Sequence, residues 1–205
     1  NTWSDIVETP ALMITGVLDG ERNGSTAPQI VELYAVRDIP DLALYGIQVA
    51  DNGANSNEPN HCLGCNYNQD NLSATVSLQK GQYLLVSLKS WQNGQHPYEF
   101  FGDAIPQTST NHKWKQYHDN HQISGDDPII LYKRPDKNQF SGWTQVDIFG
   151  VNGQDGTGQS WEYTDGWAYR KNGRAASTVF SLNDWKMCKG CLDGGLNRNN
   201  AAANP

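Results

Sequence analysis

The chain has 205 residues, a length that a single all-β core commonly uses. Its net charge of −7 opposes general attraction to phosphate backbones, so nucleic acid is not an expected partner. Its longest apolar run, 12–18, is too short for a membrane span, which needs roughly 20 residues.

Short apolar runs bounded by turn residues recur along the chain and predict β-strands. In one of them Val31, Leu33 and Ala35 alternate with Glu32, so one face of that strand is apolar. The only expected helix is one turn at 38–42, with Asp38 as its cap. The predicted strands are 12–17, 29–36, 43–49, 74–78, 82–88, 128–132, 144–149 and 166–170.

Three long polar segments separate these runs, namely 51–71, 92–127 and 152–165. Long loops on a rigid sheet framework are where function usually resides. No repeat or linker divides the chain, so we expect one domain over residues 1–205. Its core extends from about 11 to 185, and residues 197–205 form a flexible tail. The pattern predicts an all-β, antiparallel β-sandwich with long loops.

A series of motifs along the chain resembles one family. Their order is similar to that of the lamin-tail-like domains of exported bacterial proteins, which are often found beside extracellular nucleases. The most specific block is the last. The motifs are 16–20 (GVLDG), 31–35 (VELYA), 38–42 (DIPDL), 45–46 (YG), 100–102 (FFG), 124–127 (SGDD), 147–150 (DIFG), 155–158 (DGTG) and 161–170 (WEYTDGWAYR).

The resemblance covers about 12–185 and implies an immunoglobulin-like β-sandwich that acts as an accessory module without catalytic residues. The chain departs from the family pattern at 61–65 (HCLGC), in the His-rich segment 111–121 and at 188–191 (CKGC). Any function peculiar to this chain is expected at those departures.

The four cysteines form two Cys-x-x-Cys pairs, Cys62/Cys65 and Cys188/Cys191. Paired motifs of this kind suit a structural zinc site with four thiolates. In an exported protein they suit structural disulfides equally well. Redox-active thiols are a third interpretation, although no thioredoxin-like pattern surrounds the motifs. Under either of the first two interpretations, we expect the two turns to meet and act as one staple.

The histidines offer a weaker metal site. His112, His118 and His121 lie close together in sequence, and imidazoles at this density can bind zinc or copper. The alternative is a solvated loop. The neighbouring Asp126 and Asp127 suit calcium or acid–base chemistry, or a simple turn before Pro128.

The aromatic residues Trp161, Tyr163, Trp167 and Tyr169 have two interpretations. Flat rings can stack on sugars, but the spacing also fits a hairpin whose rings pack into the core. Glycosylation acceptors at 23–25 and 71–73 are compatible with secretion, and so is an initial residue other than Met.

The sequence carries no Gly-x-Ser-x-Gly or His-Glu-x-x-His motif. We therefore predict a secreted, non-catalytic module that recognises an extracellular glycan, protein or surface. The alternatives are a metal-dependent hydrolase that uses the His-rich segment, and an accessory domain of a secreted nuclease. The only cofactor that the pattern suggests is structural zinc.

Overall fold

The structure is a computed structural model that describes residues 9–20, 29–55, 57–65, 77–88, 111–116, 123–139 and 141–191. These residues form ten β-strands and a few 3₁₀ turns, with no α-helix among them. No helix in this part of the chain is long and apolar enough to cross a membrane. The predicted all-β sandwich is confirmed, whereas its immunoglobulin-like detail stays a prediction.

The larger sheet has six strands in the order β10-β9-β1-β2-β5-β6. All neighbours are antiparallel except β5 and β6, which run parallel. The strands are β1 (Leu12–Asp19), β2 (Gln29–Ala35), β5 (Tyr83–Ser87), β6 (His112–Gln116), β9 (Gly166–Arg170) and β10 (Trp185–Cys188).

The smaller sheet has four antiparallel strands in the order β4-β3-β7-β8. They are β3 (Tyr45–Val49), β4 (His61–Cys62), β7 (Ile129–Lys133) and β8 (Thr144–Phe149). The outer side of this sheet carries a small apolar cluster around Ile130 and Tyr132, against which Trp143 and Phe180 pack.

The main core lies between the two sheets because alternate residues of each sheet point inward. Val31 and Leu33 of the six-stranded sheet belong to the same buried cluster as Ile47 and Leu131 of the four-stranded sheet. Phe149 is central to the aromatic part, with the rings of Tyr163 and Trp185 edge-on at 5.1 and 4.8 Å. The strand residues that alternate with these inward-pointing ones therefore lie on the outer side of the six-stranded sheet.

The predicted strand positions agree with the structure for six of the eight runs, within one or two residues at their ends. The run 43–49 begins later, because Leu42–Leu44 forms a 3₁₀ turn instead. Its cap is Asp41, not Asp38, since the Asp41 carboxylate accepts the Ala43 N–H at 2.9 Å. In the remaining run only residues 77 and 78 are described, and Leu78 makes an isolated bridge with Ile39.

Three observed strands lie outside the predicted runs: β4, β6 and β10. The prediction of loop at 112–116 is wrong, because these residues pair in parallel with β5. The single-domain extent of 1–205 stays a prediction. The tail 197–205 and the acceptors Asn23 and Asn71 lie outside the described residues.

Candidate functional site

The aromatic run at 161–169 is divided between the core and the surface. Trp161 and Tyr163 are buried and pack against Phe149. Trp167 and Tyr169 are only partly buried, and they flank Ala168, which points into the core. The hairpin is not formed, because only 166–170 of this run is strand. Core packing is therefore right for the first two rings and wrong for the last two.

Trp167 and Tyr169 form a ring pair on the outer side of β9. Residues two apart on a strand share a face, and here the centroids lie 5.3 Å apart at an interplanar angle of 19°. Lys186 of β10 places its Nζ 5.5 Å from the Tyr169 centroid. The pair presents a flat apolar surface bordered by a cation.

A second group of rings lies across the same face on three adjacent strands. Register places Tyr34 of β2 opposite Tyr83 of β5, and Tyr83 opposite His112 of β6. The Tyr34 and Tyr83 centroids are 4.9 Å apart, and His112 stacks on Tyr83 at 5.1 Å. All three side chains are partly exposed. We call these three rings, together with Trp167 and Tyr169, the aromatic face.

A glycine separates the two halves of the aromatic face. Gly16 of β1 pairs with Tyr169 on one side and with Glu32 on the other. Since adjacent strands are about 4.8 Å apart, Tyr169 and Glu32 stand about 10 Å apart. Among the described residues, the one between them is Gly16, which has no side chain, and a Cβ there would approach Glu32 Cβ at 3.4 Å, an ordinary contact. This gap in the row of side chains, here called the trough, has a ring on one wall and a carboxylate on the other.

The polar wall of the trough is a hydrogen-bonded pair. The Thr15 hydroxyl donates to Glu32 Oε1 at 2.6 Å. Burial raises the pKa of Glu32, and this hydrogen bond partly offsets the effect. Burial also raises the pKa of Tyr83, with the Glu32 charge as a further cause. Carboxylate, hydroxyl and rings therefore lie on the same side of the sheet, an arrangement that can combine stacking with hydrogen bonding.

No family model, curated protein or solved structure matches this chain. The lamin-tail-like resemblance stays a hypothesis. Function is therefore inferred from the residues of this chain and from the geometry in which they are held.

The two cysteine pairs are placed in different sheets. Cys62 lies in β4, an edge strand of the four-stranded sheet, and is bonded to Cys65. Cys188 ends β10, an edge strand of the six-stranded sheet, and both it and Cys191 are free thiols. The disulfide form of the predicted staple is therefore wrong, because Cys62 is bonded to Cys65 and not to a cysteine of the second pair.

The second pair remains a dithiol in the structure. The Cys191 thiol donates to the Cys188 carbonyl at 3.4 Å. The pKa of Cys191 is raised to about 12, mainly by burial and secondly by the hydrogen bond with the Cys188 thiol. Among the described residues no group of three or more His, Cys, Asp or Glu side chains is arranged to hold a metal. Structural zinc stays a prediction without a preformed four-thiolate group.

The His-rich segment is only partly described. His112 is in β6 rather than in a loop, and burial lowers its pKa. His118 and His121 lie outside the described residues. Metal binding by the three histidines, and the hydrolase that would depend on it, stay predictions.

Asp126 and Asp127 tie loops together, in agreement with the turn interpretation. The Ser124 hydroxyl donates to both carboxylates, at 2.6 and 2.8 Å. The Asn52 N–H donates to Asp127 at 2.7 Å, and the Thr157 hydroxyl donates to Asp126 at 2.9 Å. Three loops at one end of the sandwich are thereby joined.

Sequence reasoning missed half of the aromatic face. The alternation of Val31, Leu33 and Ala35 carried the signal, because it places Tyr34 beside Glu32 on the outer side. The missing information was the pairing, since nothing local shows that β2 lies next to β5 or that β1 lies next to β9.

Proposed function

We propose that the aromatic face binds a neutral extracellular glycan. The observation that carries this proposal is the presence of two groups of partly exposed rings on one sheet face, separated by the trough at Gly16. Aromatic rings offer flat apolar surfaces of the kind that the C–H faces of sugars contact, and polar atoms at the rim can bind sugar hydroxyls.

The rings of the aromatic face are not needed to fill the core. The main core has its own aromatic cluster of Phe149, Trp161, Tyr163 and Trp185, all buried. A concentration of exposed apolar surface commonly marks an interaction site. Five rings on one side of one sheet fit that description better than rings scattered singly.

The electrostatics favour a neutral ligand. Glu32 lies on one wall of the trough, and the chain as a whole carries a net charge of −7. A sulfated or uronic glycan would be repelled, whereas hydroxyl groups can donate to a carboxylate. The resemblance to lamin-tail-like domains supports the same role, since it implies a non-catalytic accessory module. Secretion and this resemblance are part of the proposal.

The test is a binding screen against soluble neutral polysaccharides, such as β-glucans, xylan and mannan, by affinity electrophoresis and calorimetry. The double variant Trp167→Ala/Tyr169→Ala should weaken binding at least about tenfold, because truncating aromatic anchors commonly costs 2 kcal/mol or more. Gly16→Val should also weaken binding, since its side chain would fill the trough. Val179→Ala is the matched control, because Val179 is 73% exposed and lies outside the aromatic face.

Two outcomes would contradict the proposal. One is the absence of binding to any neutral glycan in the screen. The other is binding that the Trp167→Ala/Tyr169→Ala protein retains unchanged while circular dichroism shows a native fold. Each variant should keep the spectrum of the parent, since the rings lie outside the core.

A further inference from the structure

A buried arginine lies against the Cys62–Cys65 disulfide. The Arg134 side chain is 1% exposed, and its Nη2 is 3.5 Å from Cys65 Sγ and 4.0 Å from Cys62 Sγ. Its Nε donates to the Ala43 carbonyl and its Nη1 to the Gln139 carbonyl, both at 2.9 Å. The Trp143 ring lies 4.9 Å from the guanidinium carbon. The charge is therefore held in a fixed position beside both sulfurs.

The turn that carries the disulfide is built into the core. Leu63 is buried, and its N–H donates to the Tyr45 carbonyl at 2.9 Å. A side chain at Gly64 would collide with the backbone of Leu42 and Ala43, so the turn packs directly on that 3₁₀ turn. These contacts do not depend on the sulfur–sulfur bond. The two cysteines should therefore stay in place when the bond is broken.

The two sulfurs differ in access. Cys62 is 4% exposed, whereas Cys65 is more open to solvent. We therefore expect an incoming thiolate to attack Cys65 Sγ, so that the sulfur that leaves is Cys62 Sγ, which Arg134 also faces. A positive charge next to a leaving sulfur stabilises the thiolate and lowers its pKa. Stabilising the reduced form makes a disulfide more oxidising.

We propose that Cys62–Cys65 is a redox site that exchanges with thiols, and that Arg134 stabilises its reduced form. A dithiol reductant attacks Cys65 Sγ through one thiolate, which forms a mixed disulfide and releases Cys62 as a thiolate. The second thiol of the reductant then attacks its own mixed-disulfide sulfur and releases Cys65. Two electrons pass to the cysteines and the reductant leaves as its disulfide. Of the two protons that the reductant loses, one goes to Cys65 and the other to solvent, because Cys62 stays a thiolate.

Other charges around the site are consistent with this role. Asp41 feels the Arg134 charge, and its carboxylate is also held by Lys137 at 2.9 Å and by the Ala43 N–H. Lys137 and the Ala43 N–H thus both engage this carboxylate. His61 precedes Cys62 and is buried as well.

The experiment uses the full chain with Cys188→Ser/Cys191→Ser, which removes the other dithiol. The protein is equilibrated in dithiothreitol and glutathione redox buffers, alkylated and weighed, so that the reduced fraction is counted directly. Arg134→Met should shift the equilibrium toward the disulfide by about tenfold or more, which corresponds to about 30 mV. The equilibrium constant of Arg134→Lys should lie between those of the parent and Arg134→Met. An equilibrium constant that Arg134→Met leaves unchanged would overturn the proposal.

A second measurement keeps the test decisive if Arg134→Met does not fold, since Arg134 also binds two carbonyls. In the reduced parent with Cys188→Ser/Cys191→Ser, the alkylation rate is followed against pH. We expect the more acidic of the two thiols to have a pKa clearly below the ordinary value of about 8.5. A value at or above 8.5, or a turn that loses its native contacts on reduction, would refute the role assigned to Arg134.

Discussion

Asp19 illustrates how burial opposes ionisation. It lies at the end of β1, where it accepts the Asp165 N–H at 3.2 Å and faces the Gln29 amide at 3.4 Å. Burial raises its pKa from 3.8 to about 6. The folded state therefore binds a proton more tightly than the unfolded state does. The contribution of Asp19 to stability is full below about pH 4 and is lost as the pH rises through 6.

Asp19→Asn should therefore stabilise the protein at pH 7. The amide keeps an oxygen for the Asp165 N–H and removes the buried charge, so the free energy of unfolding should rise by about 1–3 kcal/mol. At pH 3 the variant and the parent should be alike. Urea titrations at the two pH values measure the difference.

Asp155→Asn is the matched control for this prediction. Hydrogen bonds from Thr157 lower the pKa of Asp155, so its ionised form is the favoured one in the folded state. This substitution should not stabilise the protein at pH 7. A loss of stability in Asp19→Asn at that pH, or a change that is the same at pH 3, would show that burial does not control Asp19.

The same corner holds a buried hydroxyl. Tyr163 is fully buried, and its hydroxyl has no hydrogen-bond partner in the part of the chain that the structure describes. Its pKa is raised well above the ordinary value by burial and then by the charges of Asp19, Asp127 and Asp126.

A buried ion pair joins the two sheets. Arg170 of β9 donates through Nη2 to Asp147 of β8 at 2.7 and 2.8 Å. Asp147 also accepts the Ile14 N–H of β1 at 2.8 Å and the Ser177 N–H at 2.9 Å. Both charged side chains are buried, and the Trp185 ring lies 4.5 Å from the guanidinium carbon. The pair therefore fixes how the sheets face each other.

Arg170→Met should destabilise the protein by about 3–5 kcal/mol, because it leaves the Asp147 charge buried without its cation. The matched control is Lys137→Met, which breaks the partly exposed Lys137–Asp41 pair and should cost no more than about 1 kcal/mol. Guanidinium titrations followed by tryptophan fluorescence compare the two. An Arg170→Met protein as stable as the Lys137→Met protein would show that the pair does not hold the sheets together.

The sequence predicted strands where apolar alternation was strong and missed them where pairing alone supports the strand. β6 (HKWKQ) is mostly polar and is held beside β5, so its own pattern resembles a loop. β4 has two residues, too few for any period to be visible. β10 did carry a signal, because Trp185 and Met187 pack against the core while Lys186 points outward.

The candidate site was predictable to a similar extent. Trp167 and Tyr169 could be recognised as possible stacking residues, because both the motif and the spacing are local. The Arg134 contact with Cys62 and Cys65 could not, since residues far apart in sequence meet only after β3 pairs with β7 and β4.

The burial of Arg134 and Arg170 removes two cations from the surface of the molecule. Both guanidinium groups are bound to internal carbonyls, and Arg170 is bound to Asp147 as well. With a net charge of −7, the protein offers little for the counterion release that drives non-specific binding to DNA.

We therefore expect no submicromolar affinity for duplex DNA at physiological salt. Fluorescence anisotropy with a labelled duplex and tag-free protein measures this, and repeating the titration at low salt serves as the control for weak electrostatic contact. Tight binding at physiological salt would mean that a positive surface exists elsewhere in the chain.

The central position of β1 affects how the protein is made. β1 lies between β2 and β9, so one of its neighbours is synthesised immediately after it and the other only after most of the remaining strands. While the chain emerges from the ribosome, the N–H and C=O groups of β1 that will pair with β9 have no strand to bind. During this interval the nascent chain is most exposed to intermolecular strand pairing, and the arrival of residues 166–170 ends it.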